Sequence, residues 1–580
     1  MFKKQISIPV LKQAEASYKK MAPFERWAFY ALVIALVAST LILTTRVYVY
    51  STVLVPASGG TIIEGVVGAP RFINPVLAIS QTDKDLSKLV YAGLMAMDSS
   101  GKLVPKLAAS YTVSDDSKEY TFTLLDGLTF HDGTPLTAED VVFTIEKAVQ
   151  PDIKSPERVN WEGVKVTQDG YLTVIFTLSK PYSQFLQNTT LGILPEEHWN
   201  KLSADEFIFS NLNTSPIGSG PYKFINMSHD NSGIPSKIEL VGFKDFVLGK
   251  PYIKNFVLKF YANRELVEEA LKNRDVSSIS EVSLRSVGDI LLHRDYNITT
   301  STLPRIFAVF FNQSHNSALE SKKVRKALRG VIDTQLLVDE ILDGYAQALN
   351  APLLNTTEDL ISHSLLNVQD ARKLIEDAGW TLDEDTNIYT KDSEELLIVL
   401  TTANSTELKE VVDYVAQVWR AVGISVKLEV FEPGDIAQSV LRAREYDALL
   451  FGEILGVDPD LYAFWHSSQR NDPGLNIANY ANSTVDKLLI QARKTIAPTE
   501  RSKIYSEISD IINADIPAIF LYAPSFLYIS DENILGINFP AAIEPHDRFS
   551  NVHKWHIKTN RSLKLLTHLT TDKQHDRYTR

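Results

Sequence analysis

The chain has 580 residues, 44% of them hydrophobic and 22% charged, a globular balance with length for two to four domains, which excludes a disordered or collagen-like class. It contains no cysteine, and so no disulfide, thiolate metal site, cysteine nucleophile or lipid on an N-terminal cysteine. The net charge of −13 is uneven: residues 1–50 and 559–580 are basic, so the body between them is strongly acidic, which argues against nucleic acid as a main partner.

Trp27 to Thr45 (WAFYALVIALVASTLILTT) carries no charge and approaches the roughly 20 residues that cross a bilayer. It is longer than the apolar region of a cleaved signal peptide. All basic residues of the first fifty except Arg46 precede it. The segment therefore reads as an uncleaved anchor, with 1–26 as a cytoplasmic tail and the large domain outside the cell. Ser51 to Gly60 reads as a short tether.

Beyond the tether, Thr61 to Val67 has strand character, Pro70 and Asn74-Pro75 enforce an irregular loop, and Asp83 to Leu94 reads as a helix. Tyr120, Phe122 and Leu124 alternate with Thr121 and Thr123, the period of a half-buried strand. Asp126-Gly127 and Asp132-Gly133 are turn pairs. Thr137 stands three residues ahead of Asp140 and predicts a capping box opening an amphipathic helix through Val149. Val164 to Leu178 reads as a hairpin around Asp169-Gly170. Pro216 to Phe224 (PIGSGPYKF) is turn-rich, with glycines suited to positive φ.

LPRIFAVFFNQ, from Leu303, reads as a central strand. Helices are expected at Ser321 to Ile332, Gln369 to Ala378 and Glu407 to Val422, the last two closed by Gly379 and Gly423. The strands ISVKLEVF and Tyr446 to Phe451 follow, then helices at Thr484 to Thr495 and Glu500 to Asn513, then a strand at Ala518 to Tyr522. Helices alternating with apolar strands predict an α/β fold with crossover helices. Residues beyond Lys558 read as a frayed polar tail. No GxSxG, HExxH or GxxxxGK[ST] occurs, GSG at Gly218 to Gly220 runs into Pro221 rather than a helix, and the histidines are scattered. Neither an enzyme nor a metal or cofactor is expected.

Six ordered stretches resemble the family 5 extracellular solute-binding proteins of ABC importers, which include oligopeptide-, dipeptide- and nickel-binding members. They are FHDGTPLTAEDVVF; PIGSGPYKF; FNQ with VRKALRGVID and ILDGYAQALNAPL; DARKLIEDAGW; YDALLFGEILGVDPDLYAFWHSS; and NYANSTVDKLLIQAR. Together they span roughly residues 60–545. The resemblance implies a two-lobed venus-flytrap fold. Lobe one would take 51–98, 213–303 and 521–558, with an inserted subdomain at 99–212; lobe two would take 304–520, and 559–580 would be a flexible tail. It implies capture of a peptide between the lobes and delivery to an ABC permease, with a monomer expected. The alternatives are the same fold holding an oligosaccharide or a chelated metal, or a surface sensor or chaperone for peptides without a transporter.

The resemblance also sets the candidate ligand-binding residues. Relatives commonly pair a peptide amine with a carboxylate near FGEILGVDPD, and many carry Trp where this chain has Glu453. Glu453 is then either that anchor or an exposed residue, and Gly452 lies beside it. Asp458 is either a ligand contact or a helix N-cap before Pro459. Asn74 either lines the cleft or makes the turn beside Pro75. Asn312 either meets a peptide backbone or satisfies a strand end. Tyr91, Tyr222, Trp465 and Tyr480 line pockets or pack in the core.

Overall fold

A computed structural model describes Ser17 and residues 20–563 except 99–100, 281, 294–295, 355–364, 457–458, 496 and 540–543. The chain divides into two compact units, the larger being Ser58–Ile557.

The smaller unit is built on helix α1 (Pro23–Ser51), 29 residues long with no side chain buried. At about 1.5 Å per residue it is roughly 43 Å long, against about 30 Å of bilayer hydrocarbon. Its first turn is capped by Glu25, whose carboxylate accepts from the Ala22 N–H at 2.8 Å. Strand β1 (Thr52–Ala57) follows directly and pairs antiparallel with the last strand among the described residues, Lys558–Leu563, from Thr52↔Leu563 to Ala57↔Lys558. The segments read as a tether and a frayed tail thus form a ladder over these residues. Backbone pairing holds it, and Arg561 adds a bond to Thr52 Oγ1 at 3.3 Å.

The larger unit opens with β2 (Thr61–Val67) and α2 (Gln81–Val90). A small hairpin, β3 (Met95–Met97) and β4 (Leu103–Pro105), leads to β5 (Ala108–Val113) and β6 (Glu119–Leu124). The predicted capping box is present: α3 (Ala138–Val149) starts after Thr137, and Asp140 accepts from the Thr137 N–H at 2.8 Å. β7 (Val164–Asp169) and β8 (Thr173–Leu178) complete an antiparallel sheet ordered β5-β6-β8-β7. Next come β9 (Tyr222–His229), β10 (Pro235–Gly242), β11 (Asn255–Tyr261), α4 (Arg264–Lys272), β12 (Ser278–Ser280), α5 (Leu284–His293) and β13 (Tyr296–Thr302).

The chain continues through β14 (Arg305–Phe311), α6 (Lys322–Gly330), β15 (Ala346–Ala348) and α7 (Val368–Glu376). A small sheet of β16 (Thr381–Asp383), β17 (Ile388–Lys391) and β18 (Glu394–Glu395) precedes β19 (Leu397–Ala403), α8 (Thr406–Val422), β20 (Ser425–Phe431) and β21 (Ala448–Ile454). Helices α9 (Ser483–Lys494) and α10 (Pro498–Asp515) lead to β22 (Ala518–Asp531), and β23 is Lys558–Leu563.

One twelve-stranded mixed sheet organises the unit, in the order β20-β19-β21-β14-β22-β12-β2-β11-β10-β9, with β13 and β15 also on β22. The 14-residue β22 spans both halves of this sheet. Its start pairs with β14 and β15, and its end pairs with β12 and β13. The two halves have separate cores. Ile62, Phe122, Tyr222 and Phe256 belong to one cluster of the N-terminal half, and Val309, Leu400, Val415 and Trp419 to one of the C-terminal half. The chain passes between the halves at 302–305 and again within β22.

Candidate functional site

Two distant motifs lock together beside the candidate cleft. The His131 backbone N–H donates to Gly218 O at 2.8 Å. Its ring accepts from the Gly218 N–H at Nδ1, 3.3 Å, and its Nε2 lies 3.0 Å from Gly220 O. The glycines of PIGSGPYKF are needed for closeness, not for positive φ: neither Gly218 nor Gly220 has φ in the left-handed range. A Cβ on Gly218 would lie 2.1 Å from Val90 O, and one on Gly220 would lie 2.5 Å from the Val90 carbonyl carbon. This packing holds Tyr91 at the end of α2, where it lines a cavity.

That cavity, of about 530 Å³, lies between the halves. Its N-terminal wall includes Pro75, Ala78, Tyr91 and Lys106; its C-terminal wall is Ile454 to Gly456, where β21 ends. A larger cavity of about 1120 Å³ lies beside the two chain passages. It is bounded by Phe307 and Tyr522, whose rings stack at 5.0 Å, and by Leu284, which packs against a core of each half. Across it Arg285 of α5 pairs with Glu410 of α8.

The candidate residues distribute as follows. Tyr91 lines the smaller cavity, with its hydroxyl 3.4 Å from Ile73 O, and burial pushes its phenol pKa up. Asn74 is fully buried: its amide donates to Asn213 at 3.0 Å and its oxygen accepts from the Val76 N–H at 2.9 Å. Tyr222 is fully buried and bonds Ile253 O. Asn312 closes a strand end by donating to Arg444 O at 2.7 Å and accepting from Asn479 and the Ser314 N–H. Trp465 is in the core against Phe520, and Tyr480 donates to Asp515 at 2.6 Å. Gly452 leaves room for the Phe307 ring, which a Cβ would meet at 2.9 Å. Asp458 lies outside the described residues.

Glu453 is not exposed. It is 4% accessible, and neither carboxylate oxygen has a hydrogen-bond partner among the described residues. Burial raises its pKa well above the usual carboxylate value. It faces Ile306 across the strand pair rather than lining either cavity.

Against this geometry the comparisons with known proteins are direct. The model of the bacterial extracellular solute-binding proteins, family 5, matches residues 102–474, well over half the chain. The chain belongs to family 5. The oligopeptide-binding protein AppA of Bacillus subtilis is 27% identical over 511 residues, 86% of this chain and 92% of that one. The ABC transporter substrate-binding protein CtaP of Listeria monocytogenes superposes with a TM-score of 0.74 at 28% identity, over 86% of this chain and 100% of that one. NikZ of Campylobacter jejuni, solved in complex with Ni(L-His), gives 0.67 at 26% identity, over 86% and 99%. Family 5 proteins serve ABC importers as binding components, and the α/β mixed sheet is shared with these neighbours.

For a family 5 chain the cavity floor holds residues that sequence reasoning passed over. Lys88 and Lys106 line it together with His546 and Asp547. Lys88 donates to Asp547 Oδ1 at 2.8 Å. Burial pushes Asp547 up, but Lys88 and His546 outweigh it and hold the carboxyl at about 2. Behind them a buried cluster fixes the floor: Arg548 bonds Glu64 at 2.7 Å and Asp85 at 2.8 Å, and Tyr528 donates to Glu64 at 2.7 Å. A single lysine in LVPKLAASY carries no pattern that marks it; only the tertiary fold buries it.

Proposed function

We propose that this protein is a membrane-anchored receptor that captures peptides in the smaller cavity and delivers them to an ABC permease. The observation that carries the reading is the make-up of the cavity: one wall comes from each half of the twelve-stranded sheet, the second from where β21 ends. β21 pairs with β14 as far as Ile454 but with β19 only at Ala448 and Leu449, and the stretch of strand edge beyond Leu449, unpaired among the described residues, offers backbone groups to an extended peptide, while the cavity takes side chains. The two halves act as lobes hinged at the two chain passages, and ligand favours the closed form by binding it better. AppA, an oligopeptide-binding protein, supports peptide as the solute. Helix α1 acts as the anchor that keeps the receptor near its permease.

The test is thermal unfolding of the full chain in detergent with a random tetrapeptide library, Ni(L-His) and an oligosaccharide mixture. Peptides should raise Tm, the mass-action stabilisation being about 2.7 kcal/mol at a hundredfold excess over Kd. A shift with the nickel chelate or the sugars alone would replace the peptide reading. Anchoring is checked by alkaline extraction of membranes: the chain should stay in the pellet, and release into the supernatant would mean that α1 is not a span.

A further inference from the structure

We propose that the floor of the smaller cavity is a carboxylate-binding subsite, with Lys106 receiving an acidic group of the bound solute. This rests on the reading of that cavity as the ligand cleft and names the chemistry the ligand must carry.

Lys106 is 7% exposed and lines the cavity. Its ammonium has no carboxylate or hydrogen-bonding partner among the described residues; its neighbour is the Phe246 ring, 5.3 Å from Nζ to the centroid. A buried ammonium held only by an aromatic face carries an unpaid desolvation cost. The acid nearest to hand is already committed, since Asp547 accepts from Lys88. The second unsatisfied group on the floor is His546, whose Nδ1 is buried without a partner. Lys84, Lys88 and Lys106 thus reach the cavity together with Ser87 Oγ and His546 Nδ1, whose hydrogen-bonding capacity is unused among the described residues. A solute carboxylate placed there would supply a counter-charge to Lys106 and two acceptor atoms for charge-assisted bonds, which are the strong ones. The volume suits a short peptide end or a small acidic solute.

The titration behaviour agrees. Burial, with a contribution from Lys88, lowers Lys106 to about 7. The charged groups that face it are Lys88 and Lys84 of α2 and, from the segment 544–554, Glu544, His546, Asp547 and His553. Burial lowers both histidines, His553 to about 3, so they are neutral above neutrality. In the empty cavity Lys106 is then largely neutral above pH 7, and carboxylate binding must take up a proton. Affinity for an acid falls as pH rises, by up to tenfold per unit.

The experiment uses the full chain in detergent and two tetrapeptide libraries, one with free C-termini and one C-terminally amidated, titrated by calorimetry. The wild type should prefer the free acids by tenfold or more, weaken toward them between pH 7 and 9, and take up about one proton, read from buffers of different ionisation enthalpy. Lys106→Met should bind both libraries alike, with no proton uptake. Equal binding of acids and amides by the wild type, or an acid preference that survives Lys106→Met, overturns the subsite. Ile454→Asp, on the opposite wall and 57% exposed, separates the two readings. If it abolishes binding while Lys106→Met leaves acid preference intact, the cleft stands and only the subsite falls. If neither library binds the wild type, the peptide reading falls and the subsite with it.

Discussion

His131 sits between Gly218 and Gly220, and its two ring nitrogens face opposite demands: one must accept from an N–H, the other must donate to a carbonyl. Only the neutral ring meets both. Burial accordingly lowers its pKa to about 4. The folded state binds fewer protons here than the unfolded chain between about 6.5 and 4, so its contribution is complete above 6.5 and is lost as pH falls through that window. The loss amounts to up to about 3 kcal/mol at pH 4. His131→Gln should reduce by about one the protons taken up on unfolding in this range, measured from the pH dependence of urea midpoints; an unchanged slope would show that His131 is not titrating there. The same residue shows what could be read in advance. The turns and cap of FHDGTPLTAEDVVF are local, and Asp140 caps α3 as its spacing predicts. That the histidine would clasp PIGSGPYKF is a contact between residues 87 and 89 positions apart, which no local pattern encodes. Asn74, Asn312 and Tyr480, picked out as cleft candidates, spend polar atoms on interior bonds.

At the scale of elements, the end of α10 is held by a side chain from a different helix. Ile516 takes φ 54°, a conformation that costs a β-branched residue. Arg325 of α6 surrounds the turn, donating to Asp515 O at 2.8 Å, Ile516 O at 2.9 Å, and Leu319 O and Glu320 O at 2.6 and 2.9 Å. Arg325→Met would leave four carbonyls short of donors and should destabilise the chain by about 3 kcal/mol. Arg325→Lys should recover only part, because an ammonium cannot fork across four acceptors. Urea denaturation of both variants measures this; equal stability of Lys and Arg would remove the fork from the account. Element boundaries were legible where a residue ends them on its own, as Gly423 does at φ 113°. They were not legible at β22, where Pro524 suggests a stop near Tyr522. The strand runs on to Asp531 because it changes partners there, from β14 to β13, and Pro524 serves as an acceptor, taking a bond from the Leu303 N–H at 2.9 Å.

For the whole molecule, the balance between open and closed forms should depend on the ion pair between Arg285 and Glu410. It joins the two halves across the larger cavity, and under the proposed hinge motion it is placed to bias that balance. Both side chains are partly exposed, 68% and 32%, so the pair is worth at most about 1 kcal/mol. Glu410→Gln should therefore change the ligand-free population of the closed form by up to about fivefold. The absence of native cysteine makes the measurement clean: Asp169→Cys and Asp392→Cys, one on each half, accept dyes for single-molecule energy transfer. An identical distribution with and without the pair would show that it does not bias the hinge.

The ladder between β1 and β23 has a mechanical consequence. Thr52 follows α1 directly and pairs with Leu563, the last residue of β23, so the incoming and outgoing chain meet at the same end of the ladder. Tension applied between α1 and Leu563 would open its bonds one after another, as a zipper opens, rather than load them all at once as in shear. The junction next to α1 is thus the weakest joint in this pulling direction, and in optical tweezers it should yield in a first small step at low force, before the larger unit unravels. Moving the second handle from Leu563 to Lys558, at the far end of the same ladder, places β1 and β23 in shear, and that first step should rise sharply in force.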